Sequence, residues 1–227
     1  MDVVPHRDAA IDEDNATIMV SVTTKVHLWW TWLRIAVRHV GQARRARRQE
    51  VVAASFEATE SAALSQEFEA SLVAIAAVAF AMEALDLELA GSGHALDETQ
   101  FTVPKPTNRG FWISQRLAQA FRLDPTTASR FEEDLVNLFD LRNGSTHFES
   151  GPRAGMHPHP SGTNTALELT LYTLEQAEAA ILLGEAVVAE GASSAADERL
   201  FNGAKDLQRE LPSVLKMLHE VMTAESF

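Results

Sequence analysis

Three residues near the middle of the chain have the types and spacing to do chemistry: Arg142, Asn143 and His147, within LRNGSTHFES. An arginine keeps its charge at any physiological pH and can give two parallel hydrogen bonds to a phosphate. A histidine titrates near neutrality and can take or give a proton. Together they suit work on a phosphodiester, with Asn143 orienting the histidine or the phosphate. Ser145 and Thr146, between them, either add a hydrogen bond or cap the following turn. A purely structural account competes. In it Arg142 caps the last carbonyls of a helix, Gly144 is an ordinary C-terminal glycine and His147 is a polar loop residue.

The residues before Arg142 must position it. Asp124-Pro125 is a helix start, a capping side chain followed by proline at the first helical position. Phe131, Leu135, Leu138 and Phe139 then mark one apolar face, and Arg142 lies one turn further along it. In a continuous helix five residues separate two side chains by about 140°. Arg142 and His147 therefore share a site only if the helix breaks at Gly144 or if a second molecule completes the site. Glu83 is the other chemistry-bearing candidate. It is the first charge after thirteen residues without one, in a segment apolar enough to be buried, and it is either a partner for Arg142 or a rim residue in water.

Around this segment the chain reads as helices. Residues 1–15 read as a frayed acidic tail and residues 16–227 as a single domain. Ala16 to Thr23 alternates like a short strand, which Thr165 to Leu171 could pair with. Helices are expected at His27 to Arg48, with Gly41 weakening or ending the first. A long one follows from about Val51 to Leu89, interrupted near 61–65, its later half apolar all round and so buried. Further helices are expected at Gly110 to Phe121, from Asp124 towards Gly144, from a Thr173–Gln176 capping box to about Glu190, and in two final stretches at 195–209 and 212–222. The fold class is all-α: an up-and-down bundle of five to seven helices, with a minor two-stranded β element.

Composition narrows the function. The net charge of −13 argues against a generally basic nucleic-acid binder. The charge is segregated, however: residues 16–49 hold no acid, and residues 50–100 hold ten acids and no lysine or arginine. Arg44, Arg45, Arg47 and Arg48 either neutralise an acidic neighbouring helix or face water, or they form a phosphate-contacting strip. No cysteine is present, which excludes disulfides and thiolate metal sites. His157 and His159 in MHPHPSG are weak metal candidates for want of a third ligand. Trp29, Trp30 and Trp32 either pack in the core or stack bases. The longest apolar stretch, Ala70 to Met82, is short of a membrane span, and the acidic start does not resemble a secretory signal. The expected location is the cytoplasm.

The string R-N-x-x-x-H resembles the signature of HEPN domains, and the likeness extends over roughly residues 65–190. The Ala-rich LVAIAAVAFAMEAL, the helix FEEDLVNLFDL leading into the arginine, and the loop and helix that follow match the layout of bacterial HEPN proteins. The resemblance implies a homodimer whose motifs face a shared cleft, and a metal-independent endoribonuclease that leaves a 2′,3′-cyclic phosphate. It implies Arg142 as phosphate clamp and His147 as acid or base, no cofactor, RNA as the partner, and a setting as a toxin or phage-defence effector with an inhibitory protein partner. Some HEPN domains are instead non-catalytic modules that bind a nucleotide or a protein, and that alternative stays open here.

Overall fold

The computed structural model describes residues 28–53, 57–91, 108–146, 157–160, 164–165 and 167–194, together with 212, 213 and 216. Within these the protein is an all-α bundle. Its helices are α1 (Leu28–Ala53), α2 (Glu57–Gly91), α3 (Arg109–Phe121), α4 (Pro125–Thr146), the five-residue α5 (Leu167–Leu171) and α6 (Leu174–Ser194). One short antiparallel pair, β1 (His157–Pro158) with β2 (Asn164–Thr165), bridges the connection between α4 and α5.

α2 is the axis of the bundle and packs against every other helix. Its middle is apolar on all sides, and Ala74, Ile75, Val78, Ala81, Met82 and Leu85 are all buried. Ala62–Ala90 is long and apolar enough to cross a membrane by length and composition, and 61% of its most apolar window is covered within the bundle. The small side chains let α1 lie close along it. Trp29, Leu33, Ala36, Val37, Val40 and Ala43 recur at three- and four-residue spacing and form the buried stripe of α1. α1 runs through Gly41, and α2 runs through residues 61–65, without the weakening expected at either place.

α3 and α4 form a tight helical hairpin. Arg122 ends α3 in a left-handed conformation, φ 50°, and the Leu123 N–H returns to the Ala118 carbonyl at 3.0 Å. Asp124 then caps α4, accepting from the N–H of Thr126 at 2.9 Å and of Thr127 at 3.1 Å. Gly110 lies against the α4 backbone, where a Cβ would collide with the Leu135 carbonyl, so this position sets the approach of the two helices. The expected capping box opens α6, with Thr173 and Gln176 exchanging bonds at 3.4 Å in each direction.

Two expectations are corrected. Residues 167–171 form a helical turn, not a strand. Leu167 and Leu171 are four residues apart, so one turn places both on the same side, and Leu171 packs against the core. Gly144 does not end its helix, which continues to Thr146. There the Tyr172 hydroxyl donates to the Leu141 carbonyl at 2.7 Å and ties the last turns of α4 to the segment before α6. A Cβ on residue 144 would sit 3.2 Å from that oxygen, so glycine leaves room for the tyrosine. The segments 1–15 and 16–23 lie outside the described residues, as does most of 195–222.

Candidate functional site

Three helices converge around Arg142. α4 brings the arginine one turn beyond Phe139, on the same side as the buried Phe131, Leu135 and Leu138. α2 presents Phe80, Glu83 and Asp86 at three-residue spacing, close to one face of a helix. α3 presents Arg109 and Arg116 two turns apart. Asn108 locks the start of α3 in place. Its Oδ1 accepts from the Gly110 N–H at 2.8 Å, and its Nδ2 donates to Asp140 of α4 at 2.9 Å.

Arg142 is held on several sides. Nη2 donates to Glu83 Oε2 at 3.2 Å, and Nη1 donates to Asn143 Oδ1 at 3.1 Å. The guanidinium carbon lies 5.0 Å from the Phe80 ring centre and 5.7 Å from that of Phe139. Flat guanidinium against aromatic faces is an attractive and well-oriented contact. The pairing of Glu83 with Arg142 proposed from the sequence is thus present. Both side chains remain partly open to solvent, at 22% and 24% exposure.

The pair belongs to a larger charge cluster. Arg109 approaches Glu83 at 3.6 Å and Asp86 at 3.5 Å, and Arg116 approaches Asp86 at 2.8 Å. Asp86 is fully buried. Burial raises its carboxyl above the usual carboxylate range and Glu83 adds to that, while Arg116 and Arg109 oppose the shift. The five ion-paired side chains carry three guanidiniums against two carboxylates, an excess of positive charge in a strongly acidic protein. Asp140, tied to Asn108, is exposed to solvent near the start of α3.

Of the other residues expected at the site, Asn143 lies in the last turns of α4 and touches Arg142. Ser145 and Thr146 belong to the end of that helix, but their side chains lie outside the described residues, as does His147 altogether. The arginine run divides. Arg44 pairs with Glu178 of α6 at 2.6 Å. Arg47 gives two bonds of 2.5 Å to Glu67 of α2 and two, of 2.8 Å and 3.2 Å, to Glu175 of α6. These two arginines tie α1 to its acidic neighbours, and Arg45 and Arg48 face solvent.

Glu67 is the hub of that second cluster. It is buried, accepts from the Leu174 N–H at 3.0 Å, and faces His159 Nε2 at 3.8 Å. Burial keeps the His159 imidazole below its usual pKa, and Arg47 adds to this while Glu67 and Glu175 oppose it. The Arg47 guanidinium is held above its ordinary pKa, because its bonds to Glu67 and Glu175 outweigh burial. His157 is half-buried in β1, and no group of three or more potential metal ligands is assembled among the described residues. Trp29 is core, while Trp32 lies partly open with its ring 5.0 Å from that of Phe80.

Phe80, Asp86, Arg109 and Arg116 belong to no motif in the sequence. The available signal was on α2, where residues 80, 83 and 86 interrupt an alanine-rich run on one side.

No protein-family model, no curated protein and no solved structure matches this chain.

Proposed function

We propose that the protein is a HEPN-like, metal-independent endoribonuclease acting at Arg142 and His147. The observation that carries this reading is the seating of Arg142. A partly exposed guanidinium, fixed by a carboxylate and two aromatic rings, with Arg109 on the same carboxylate, suits a phosphodiester better than it suits a simple helix cap. In this mechanism Arg142 binds the scissile phosphate and stabilises the charge that builds on it. His147 takes the ribose 2′-OH proton or returns one to the leaving 5′-oxygen. The 2′-oxygen attacks phosphorus, the bond to the 5′-oxygen breaks, and a 2′,3′-cyclic phosphate remains. Asn143 and Glu83 hold the guanidinium in line.

α4 continues past Gly144, so a His147 carried on as helix would face about 140° away from Arg142. The site is then completed by a second copy, with the Arg142 of one protomer and the His147 of its partner meeting across a twofold cleft. The same observation favours the second reading, a non-catalytic helical module in which the arginine cluster holds a nucleotide or a protein partner. The proposed setting is cytoplasmic, as a toxin or defence effector restrained by an inhibitory partner.

The test compares wild type, Arg142→Ala and His147→Ala for decay of total RNA, with and without EDTA. The expected result is cleavage by wild type alone, unchanged by EDTA. RNA binding that persists in His147→Ala and is lost in Arg142→Ala, with no cleavage by any of the three, selects the non-catalytic module. Equal behaviour of three folded proteins refutes both.

A further inference from the structure

A groove beside the arginine cluster has features that Arg142 does not use. It opens between the start of α1 and the later part of α2, encloses about 460 Å³, and is bordered by Leu28, Trp32, Phe80, Glu83, Leu87 and Glu88. That volume falls within the range of small-molecule sites. Leu28 and Leu87 are 58% and 64% exposed. They are two of the three large hydrophobic residues left exposed among those described, and both stand on this groove. Trp32 and Phe80 provide its aromatic walls.

Phe80 and Glu83 belong to the groove and to the Arg142 site at once. Phe80 packs against the Arg142 guanidinium at 5.0 Å and also lines the groove. Glu83 pairs with Arg142 and also lines the groove. The groove itself presents carboxylates and apolar surface and disfavours a phosphate. The neighbouring cluster presents guanidiniums and favours one. A ligand that is anionic at one end, and flat, apolar and hydrogen-donating at the other, matches both halves.

We infer that this groove is a nucleobase subsite, taking the base of a nucleotide whose phosphate lies on Arg142 and Arg109. The inference rests on the proposed RNA reading and adds a specificity to it. The base stacks against Trp32, and its amino group donates to the Glu83 or Glu88 carboxylate. Adenine, cytosine and guanine carry such an amino group, and uracil does not.

The test uses the full chain in a His147→Ala background, so that no strand is cut, and fluorescently labelled hexamers of A, C and U with an abasic hexamer of the same backbone. The A and C hexamers should bind about tenfold or more tighter than the abasic one, with U between, as stacking of a base on an aromatic side chain predicts. Trp32→Ala should reduce this base preference and Trp32→Phe should keep it. Leu87→Ser, at an exposed position that does not threaten the fold, should weaken A and C binding and leave the abasic hexamer unchanged. Arg142→Ala should weaken all four. Groove variants that keep the full base preference overturn the inference while the RNA reading stands. Groove variants that lower the sedimentation mass and leave the preference intact also overturn it, and assign the groove to a second copy. A wild-type protein that neither binds nor cuts RNA fails the RNA reading itself.

Discussion

Replacing Glu67 by glutamine keeps the shape of the side chain and removes its charge, and the structure sets the expected cost. Glu67 is 1% exposed and Arg47 14%. The carboxylate accepts two N–H groups of Arg47 and the Leu174 N–H, and it faces His159. Removing one partner of a buried ion pair costs about 3–5 kcal/mol, because the other charge is left in a poorly solvated place. Arg47 keeps Glu175, but that carboxylate is half-exposed and its attraction is screened. The lower end of the range, about 3 kcal/mol, is therefore expected. For a chain of this size that lowers Tm by roughly 6–12 °C. Thermal and urea unfolding at pH 7, followed by circular dichroism, measures it. Glu67 and Glu83 are about 24 Å apart along α2, so Glu67→Gln assayed well below its Tm should leave the proposed RNA cleavage at the wild-type level. A loss of stability under about 1 kcal/mol would refute the reasoning, since it would place Arg47 in an environment that solvates it well.

Glu83→Gln should do the reverse. Its pair with Arg142 is partly solvated and costs about 1 kcal/mol or less to lose, while RNA cleavage falls at least tenfold as the guanidinium loses its orientation; unfolding and initial cleavage rates measured side by side check the split. The lowered pKa of His159 means that the unfolded chain binds its proton more readily, so stability present at neutral pH is lost as pH falls below about 6.5. His39, lowered by its burial and by Arg38, acts in the same direction. The slope of unfolding free energy between pH 7 and 5 should shrink in His159→Gln. Tyr172→Phe should cost about 1 kcal/mol through the Leu141 bond. Gly144→Ala should bring no gain in wild type but about 0.5–1 kcal/mol in the Tyr172→Phe background, where the hydroxyl it crowds is gone; equal gains in both backgrounds would show that the tyrosine does not set residue 144.

What local pattern governs was readable in advance. The start of α4 follows from Asp124-Pro125, the start of α6 from Thr173 and Gln176, and the buried face of α4 from its apolar spacing. The Glu83–Arg142 pair was reachable too, because a lone carboxylate on an apolar helix needs a counter-charge. Other features depend on partners distant in sequence. Gly144 looks like a helix end until Tyr172 is seen to bond the Leu141 carbonyl from another segment. Arg44 and Arg47 resemble Arg45 and Arg48 in sequence, and only the approach of α2 and α6 separates paired from exposed. Alternating leucines at 167–171 fit a strand or a single helical turn equally well, and the packing of Leu171 decides. Arg109 carries no signal of its own, since Asn108 and Gly110 bring it to Glu83 only once α3 is docked.

The central claim is that Arg142 and His147 cut RNA through its own 2′-hydroxyl without a metal. The most direct measurement is cleavage, in EDTA, of an RNA oligonucleotide and of the same oligonucleotide with a single 2′-deoxy nucleotide at the cut position. The first should yield a 2′,3′-cyclic phosphate end by mass spectrometry, and the second should stay intact at that position. Cleavage at the 2′-deoxy position, or a linear phosphate formed as the first product, would contradict it.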